Sequence, residues 1–249
     1  MVLDDLESVA VRTVVSGGDV VVEDGDPLVG PREHEYPDAF TDSARVDASP
    51  EAFRVAADAA TDGRVRAIEY RQGLLSAETA VEPRMEDGEL HAAPENDVLK
   101  ATLLDRHPDG DGTGFTGFLT GFGMDEGAVA STIIWETPGV LAVGTDDADM
   151  QAAVDRVEAM GGGWAVVHDG DLRVDLPAPF GGFCAVGDVE ETVERYDAVE
   201  AALRDLGASV ERPMLALQTL TFTGVPTLKL SFSGYADILA QRTVGLALD

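Results

Sequence analysis

The sequence predicts an α+β fold, with mixed sheets and packed helices preceded by a short β-hairpin. Three observations predict it. Two apolar stripes recur at helical spacing: Met150, Val154, Val157 and Met160, then Val189, Val193, Tyr196, Val199, Leu203 and Leu206. Strand-like apolar runs at residues 140–143, 164–167 and 215–222 flank them. The two kinds of segment mix without a strict βα alternation, and no internal repeat of fixed period is present.

Taken in order, residues 9–23 predict a hairpin. Val11, Thr13 and Val15 alternate with Ala10, Arg12 and Val14, and Ser16-Gly17-Gly18-Asp19 supplies the turn before Val20-Val21-Val22. Residues 31–47 predict a linker, within a proline-, glycine- and acid-rich stretch that starts at Glu23. This gives three parts: residues 1–30, the linker at 31–47, and an α+β domain over 48–249. In the large domain, Ser49-Pro50 predicts the start of a helix reaching about Ala60. Residues 64–71 and 77–82 predict strands, and Val98-Leu99 with residues 101–104 forms the core of another. Asp146, Asp147 and Asp149 begin the first amphipathic helix, and Gly161-Gly162-Gly163 ends it. Asp188 and Glu191 open the second like a capping box, and Gly207 stops it.

Composition limits the function. The 249 residues include 17 basic and 47 acidic ones, for a net charge of −30, and only two lysines, Lys100 and Lys229. Acids spread along the whole chain suit a salt-rich cytoplasm, where repulsion is screened over a few ångströms. No basic stripe is left to neutralise phosphates, so nucleic acid is not an expected partner. No run of eighteen apolar residues predicts a membrane span, and the acidic start at residues 1–11 does not resemble a signal peptide. A single cysteine, Cys184, fits a reducing compartment, and with no basic neighbour it reads as a buried structural thiol.

Chemistry-bearing clusters are few. His34, His91, His107 and His168 lie far apart, in no metal-ligand spacing, so the chain is expected to bind no metal or other cofactor. Asp105-Arg106-His107 follows an apolar run; on a strand the acid and imidazole would share a face for acid–base work, or form a salt-bridged strand end. The glycines at 112, 114, 117, 121 and 123 lack the lysine of a phosphate loop, and Phe115, Phe118 and Phe122 between them read as packing. Trp135 is a candidate for stacking on a planar base, with Glu136 as its hydrogen-bonding neighbour; a core tryptophan beside an exposed acid is the plainer reading. The candidate catalytic residues are thus Arg106, His107 and Glu136, and the candidate substrate-binding residue is Trp135.

An ordered series of motifs resembles the C-terminal domain of adenine deaminase. It runs through Asp97-Val98-Leu99-Lys100, Asp105-Arg106-His107, Gly117-Phe118-Leu119-Thr120-Gly121-Phe122-Gly123, Gly127-Ala128-Val129-Ala130-Ser131 and Val143-Gly144-Thr145-Asp146-Asp147-Ala148-Asp149-Met150. It continues at Met160-Gly161-Gly162-Gly163, Leu176-Pro177-Ala178-Pro179 and Pro226-Thr227-Leu228-Lys229-Leu230, and covers roughly residues 45–249. Val2-Leu3-Asp4-Asp5-Leu6-Glu7 and the Gly17-Gly18 hairpin are similar to the segment after that family's barrel, where the chain returns to a β-sandwich. The resemblance makes residues 1–30 part of a sandwich completed by strands from outside this chain.

The resemblance implies purine salvage by a hydrolase that converts adenine and water to hypoxanthine and ammonia. The reaction would run on manganese or another divalent metal in an amidohydrolase barrel. Such a barrel takes about 250 residues by itself, so the chain is expected to need a barrel-containing polypeptide as partner. The family's His-Asp-Ser-His-Asn run is replaced by Trp135-Glu136-Thr137-Pro138-Gly139. The alternative is a non-catalytic binding or scaffold protein derived from the domain and forming a homo-oligomer.

Overall fold

The computed structural model of the protein describes residues 1–30, 35–41, 44–46, 48–106, 114–135 and 138–248. The chain divides into two compact units, Met1–Glu35 and Tyr36–Asp249.

The first unit is an antiparallel meander of β1 (Val2–Asp5), β2 (Ala10–Ser16), β3 (Asp19–Glu23) and β4 (Asp26–Pro27), paired in that order. The expected hairpin is its centre, with Val14 opposite Val22. None of its described residues is buried, and Val2, Leu6, Val9, Val15 and Val20 are exposed. A sheet this small has no core of its own and gains stability only by packing on another surface.

The second unit opens with a helical turn, α1 (Asp38–Thr41), after which Ala44 and Val46 are buried. The helix expected from residue 49 to about 60 does not form. Two 3₁₀ turns, Pro50–Phe53 and Ala57–Ala59, stand there instead. Carbonyls that a helical ladder would use are taken by neighbouring elements. Thr116 Oγ1 donates to the Ala52 oxygen at 2.6 Å, Lys100 Nζ to Phe53 at 2.9 Å, and the Leu90 amide to Val55 at 2.7 Å. Tertiary hydrogen bonds override a weak local preference.

The strands that follow are β5 (Val65–Tyr70), β6 (Ser76–Val81), the small hairpin β7 (Arg84–Glu86) and β8 (Glu89–His91), β9 (Leu99–Asp105) and β10 (Gly114–Thr120). Next come β11 (Ala128–Ser131), β12 (Gly139–Gly144), α2 (Asp147–Ala159), β13 (Gly163–His168), β14 (Asp171–Pro177) and α3 (Val189–Asp205). The chain ends with α4 (Pro213–Gln218), a 3₁₀ turn (Thr219–Thr221), and the antiparallel strands β15 (Leu228–Ser231), β16 (Gly234–Asp237) and β17 (Arg242–Val244).

Eight strands form one sheet in the order β14-β13-β11-β12-β9-β10-β5-β6. Every pair is antiparallel except β10 with β5, where Leu119 faces Ile68. Alternation splits each central strand between two cores. On one face, Ala128, Ala130, Ala142 and Ala165 keep the surface low, and α2 settles there with Met150, Ala153, Val154 and Val157. On the other, Val129, Leu141, Val143, Trp164 and Val166 meet Val199 and Leu203 of α3, Leu206 just after it, and Met214 and Leu217 of α4. Beyond them on this face, Tyr235 of β16 is fully buried, and its hydroxyl accepts from the Phe118 amide at 2.6 Å.

Two further expectations are corrected. The run at 215–222 is helix and turn, not strand. Its burial all round removes the periodicity that tells the two apart, while Pro213 in the first turn favours the helix. The stripe on α3 is buried only from Val199 onward; Val189, Val193 and Tyr196 are exposed.

Candidate functional site

The sheet has one end where β9 and β11 finish, β12 and β13 begin, and β14 finishes, with Gly139 opposite Asp105, Ser131 opposite Trp164 and Gly163 opposite Pro177. Both described candidates come from this end. Arg106 leaves β9, its amide donating to Pro138 at 3.4 Å, and Trp135 lies in the connection from β11 to β12. His107 and Glu136, the other two candidate catalytic residues, lie outside the described residues.

Arg106 has a partner in the loop after β14, where its guanidinium donates to the Gly181 oxygen at 3.0 Å. Burial lowers its pKa, and a guanidinium keeps its charge all the same. Gly182 passes against that guanidinium: a Cβ at this residue would sit 3.0 Å from Cζ, and φ is +79°. A side chain there is refused both by the arginine and by the backbone.

The same loop is held from beneath by Thr132. Its hydroxyl donates to the Gly182 oxygen and accepts from the Gly163 amide at 2.8 Å, while its own amide donates to Gly163 at 3.1 Å. Ser131 next to it serves the turn, its Oγ accepting from the Ile133 amide at 2.8 Å. The sequence reading missed Thr132 and Gly182, which are 50 residues apart. The clusters at 161–163 and 181–182 were the available signal, since such glycines mark close backbone approaches.

Trp135 is half-buried and packs edge-on against Phe222, with ring centroids 4.9 Å apart and planes at 82°. Its amide donates to Gln218 at 3.3 Å, and its carbonyl accepts from Thr221 Oγ1 at 3.0 Å. The indole is therefore fixed to the end of α4, and its orientation is set before any ligand arrives. Beside Arg106, Phe183 and Cys184 are exposed, which corrects the buried thiol expected from sequence: the glycines lift this loop off the core.

The glycine-rich stretch is packing, as its composition suggested. From Gly114 it is strand β10, and a Cβ at Gly117 would lie 2.6 Å from Cζ of Tyr235. Gly112 lies outside the described residues. His168 sits between two exposed acids, Nδ1 at 3.3 Å from Glu126 and Nε2 at 3.1 Å from Asp169. Among the described residues, no three His, Cys, Asp or Glu side chains meet in a way that could hold a metal. Also among the described residues, no helix is long and apolar enough to cross a membrane.

This end of the sheet thus offers a fixed aromatic plane and a cation braced against a glycine loop, which are means of binding and positioning. Comparison with known proteins places it. The profile of the adenine deaminase C-terminal domain matches residues 74–242. An adenine deaminase of Desulfatibacillum aliphaticivorans is 34% identical over 247 residues, which is 99% of this chain and 42% of that protein. One of Moorella thermoacetica is 34% identical over 248 residues, with 98% of this chain and 41% of the relative covered. One of Methanothrix thermoacetophila is 31% identical over 229 residues, covering 92% and 40%. The chain spans about two-fifths of the length of these relatives. It belongs to the adenine deaminase family, which it matches through that family's C-terminal domain.

Proposed function

We propose that this chain serves as the C-terminal part of an adenine deaminase that hydrolyses adenine to hypoxanthine and ammonia in purine salvage. The chemistry falls to a metal-binding barrel outside this chain, with manganese or another divalent ion as its metal. The observation that carries this reading is the match along nearly the whole chain to adenine deaminases of which it spans two-fifths. In the assembled enzyme Trp135 offers a face to the purine, and Arg106 positions the Gly181–Gly182 loop rather than reacting. The single cysteine and the charge of −30 support work in a reducing, salt-rich cytoplasm.

An adenine assay with manganese tests the proposal. The chain by itself is expected to release no ammonia, and the chain with the barrel polypeptide is expected to turn over. Turnover by the isolated chain would overturn the division of labour. Trp135→Ala in the assembled enzyme should raise KM more than it lowers kcat.

One observation favours a second reading, a non-catalytic scaffold that self-associates. Trp135-Glu136-Thr137-Pro138-Gly139 stands where the family resemblance implies a histidine-bearing run. A stable homo-oligomer that recruits no barrel polypeptide would support it.

A further inference from the structure

Helix α3 carries one apolar stripe along its length, but only the second half of it is buried. Val199 and Leu203 are fully buried, whereas Val189, Val193 and Tyr196, at i, i+4 and i+7 on the same helix, are 70%, 52% and 41% exposed. The segment leading into the helix adds Phe183 and Val186, 56% and 48% exposed. An apolar stripe that continues past its own core is the pattern of a surface meant to be covered.

From this geometry we infer that the first half of α3 is the docking surface for the part of adenine deaminase that this chain does not span. The inference rests on the function proposed above and adds a location to it. Two observations select this occupant over a second copy. The helix lies inside the matched region, so the relatives carry it in proteins of which more than half the length is outside the match. Glu190, Glu194 and Asp197 rim the stripe, on a chain of net charge −30. Two copies meeting here would set these carboxylates against each other, whereas a different surface can meet them with cations.

The test uses the tagged full chain in its own cells, with a photo-crosslinking residue at position 193 and, as a control, at Ala159 on α2. The expected result is a crosslink from position 193, and not from 159, to a separate polypeptide identified as a metal-dependent deaminase barrel. Val193→Glu should lower its recovery about tenfold or more, with the circular dichroism of the isolated chain unchanged, while Ala159→Glu should leave recovery as it was. Equal recovery of the barrel with the wild-type chain and with Val193→Glu overturns the surface and leaves the proposed function standing. Crosslinks to a second copy alone overturn the choice of occupant. Absence of any barrel polypeptide from the wild-type sample overturns both.

Discussion

Lys100 Nζ lies 2.8 Å from both carboxylate oxygens of Asp147, with the lysine side chain 1% exposed and the aspartate 30%. The pair ties β9 to the first residue of α2, and a third bond to the Phe53 carbonyl at 2.9 Å brings in the preceding turn. The two ends of this bridge are not equivalent.

Removing the carboxylate strands an ammonium in the core, whereas removing the ammonium leaves an acid that water can reach. Asp147→Asn should therefore destabilise the protein by about 3 kcal/mol, and Lys100→Met by about 1 kcal/mol. Urea unfolding at fixed salt concentration measures both. The reverse order would show that the lysine is solvated.

Thr132 joins the glycine loop to the start of β13. Thr132→Val leaves the Gly163 amide and the Gly182 carbonyl without that partner and should cost about 2 kcal/mol or more. Thr132→Ser keeps the hydroxyl and should recover most of the loss. If valine and serine melt together, the hydroxyl is not the link.

Lys229 is buried on β15, with its Nζ donating to the Leu74 carbonyl at 3.1 Å. Desolvation lowers its pKa from 10.5 to about 8. Between those values the unfolded chain binds the proton and the folded chain does not, so stability should rise as pH climbs from about 8 toward 10.5. The gain is on the order of 3 kcal/mol for this group. Below pH 8 the folded lysine must be charged and its contribution is unfavourable. Lys229→Met should flatten this part of the stability–pH curve, read as the difference between wild type and variant. Parallel curves would refute the depressed value.

Net charge sets a further condition. With 47 acids against 17 bases, self-repulsion opposes compaction until salt screens it. The melting temperature should fall by about 10 °C or more between molar and tenth-molar potassium chloride. Calorimetry at both concentrations decides; an unchanged melt would remove the argument for a salt-rich setting.

Much of this fold can be read locally, and its exceptions share a cause. Asp146 marks the start of α2 in the sequence, and in the structure its carboxylate accepts from the Ala148 and Asp149 amides at 2.9 and 3.1 Å. The runs at 140–143 and 164–167 are strands, each a short apolar run buried on both faces and set off by glycine, Gly139 and Gly144 around the first and Gly163 before the second. Residues 50–60 and 213–221 resisted because distant side chains, or burial on all sides, decide their form. The half-bare stripe of α3 was invisible since periodicity tells which residues share a face, not how much of that face is covered. At the site, Arg106 and Trp135 were found by residue type. Their actual partners, Gly181 and Phe222, lie 75 and 87 positions away, and composition carries no such pairing.

The parallel contact between β10 and β5 has a consequence for how the sheet comes apart. On one side of it is the hairpin of β5 and β6; on the other, six strands are held in antiparallel register. Between them only Leu119 with Ile68 and Thr120 with Glu69 are in register, in the pairing type that is slightly weaker per residue. This is a seam: it can part while every hairpin on either side stays closed. Amide protons along it should exchange with solvent deuterium ahead of those between β9 and β12, making the sheet two separately breathing blocks.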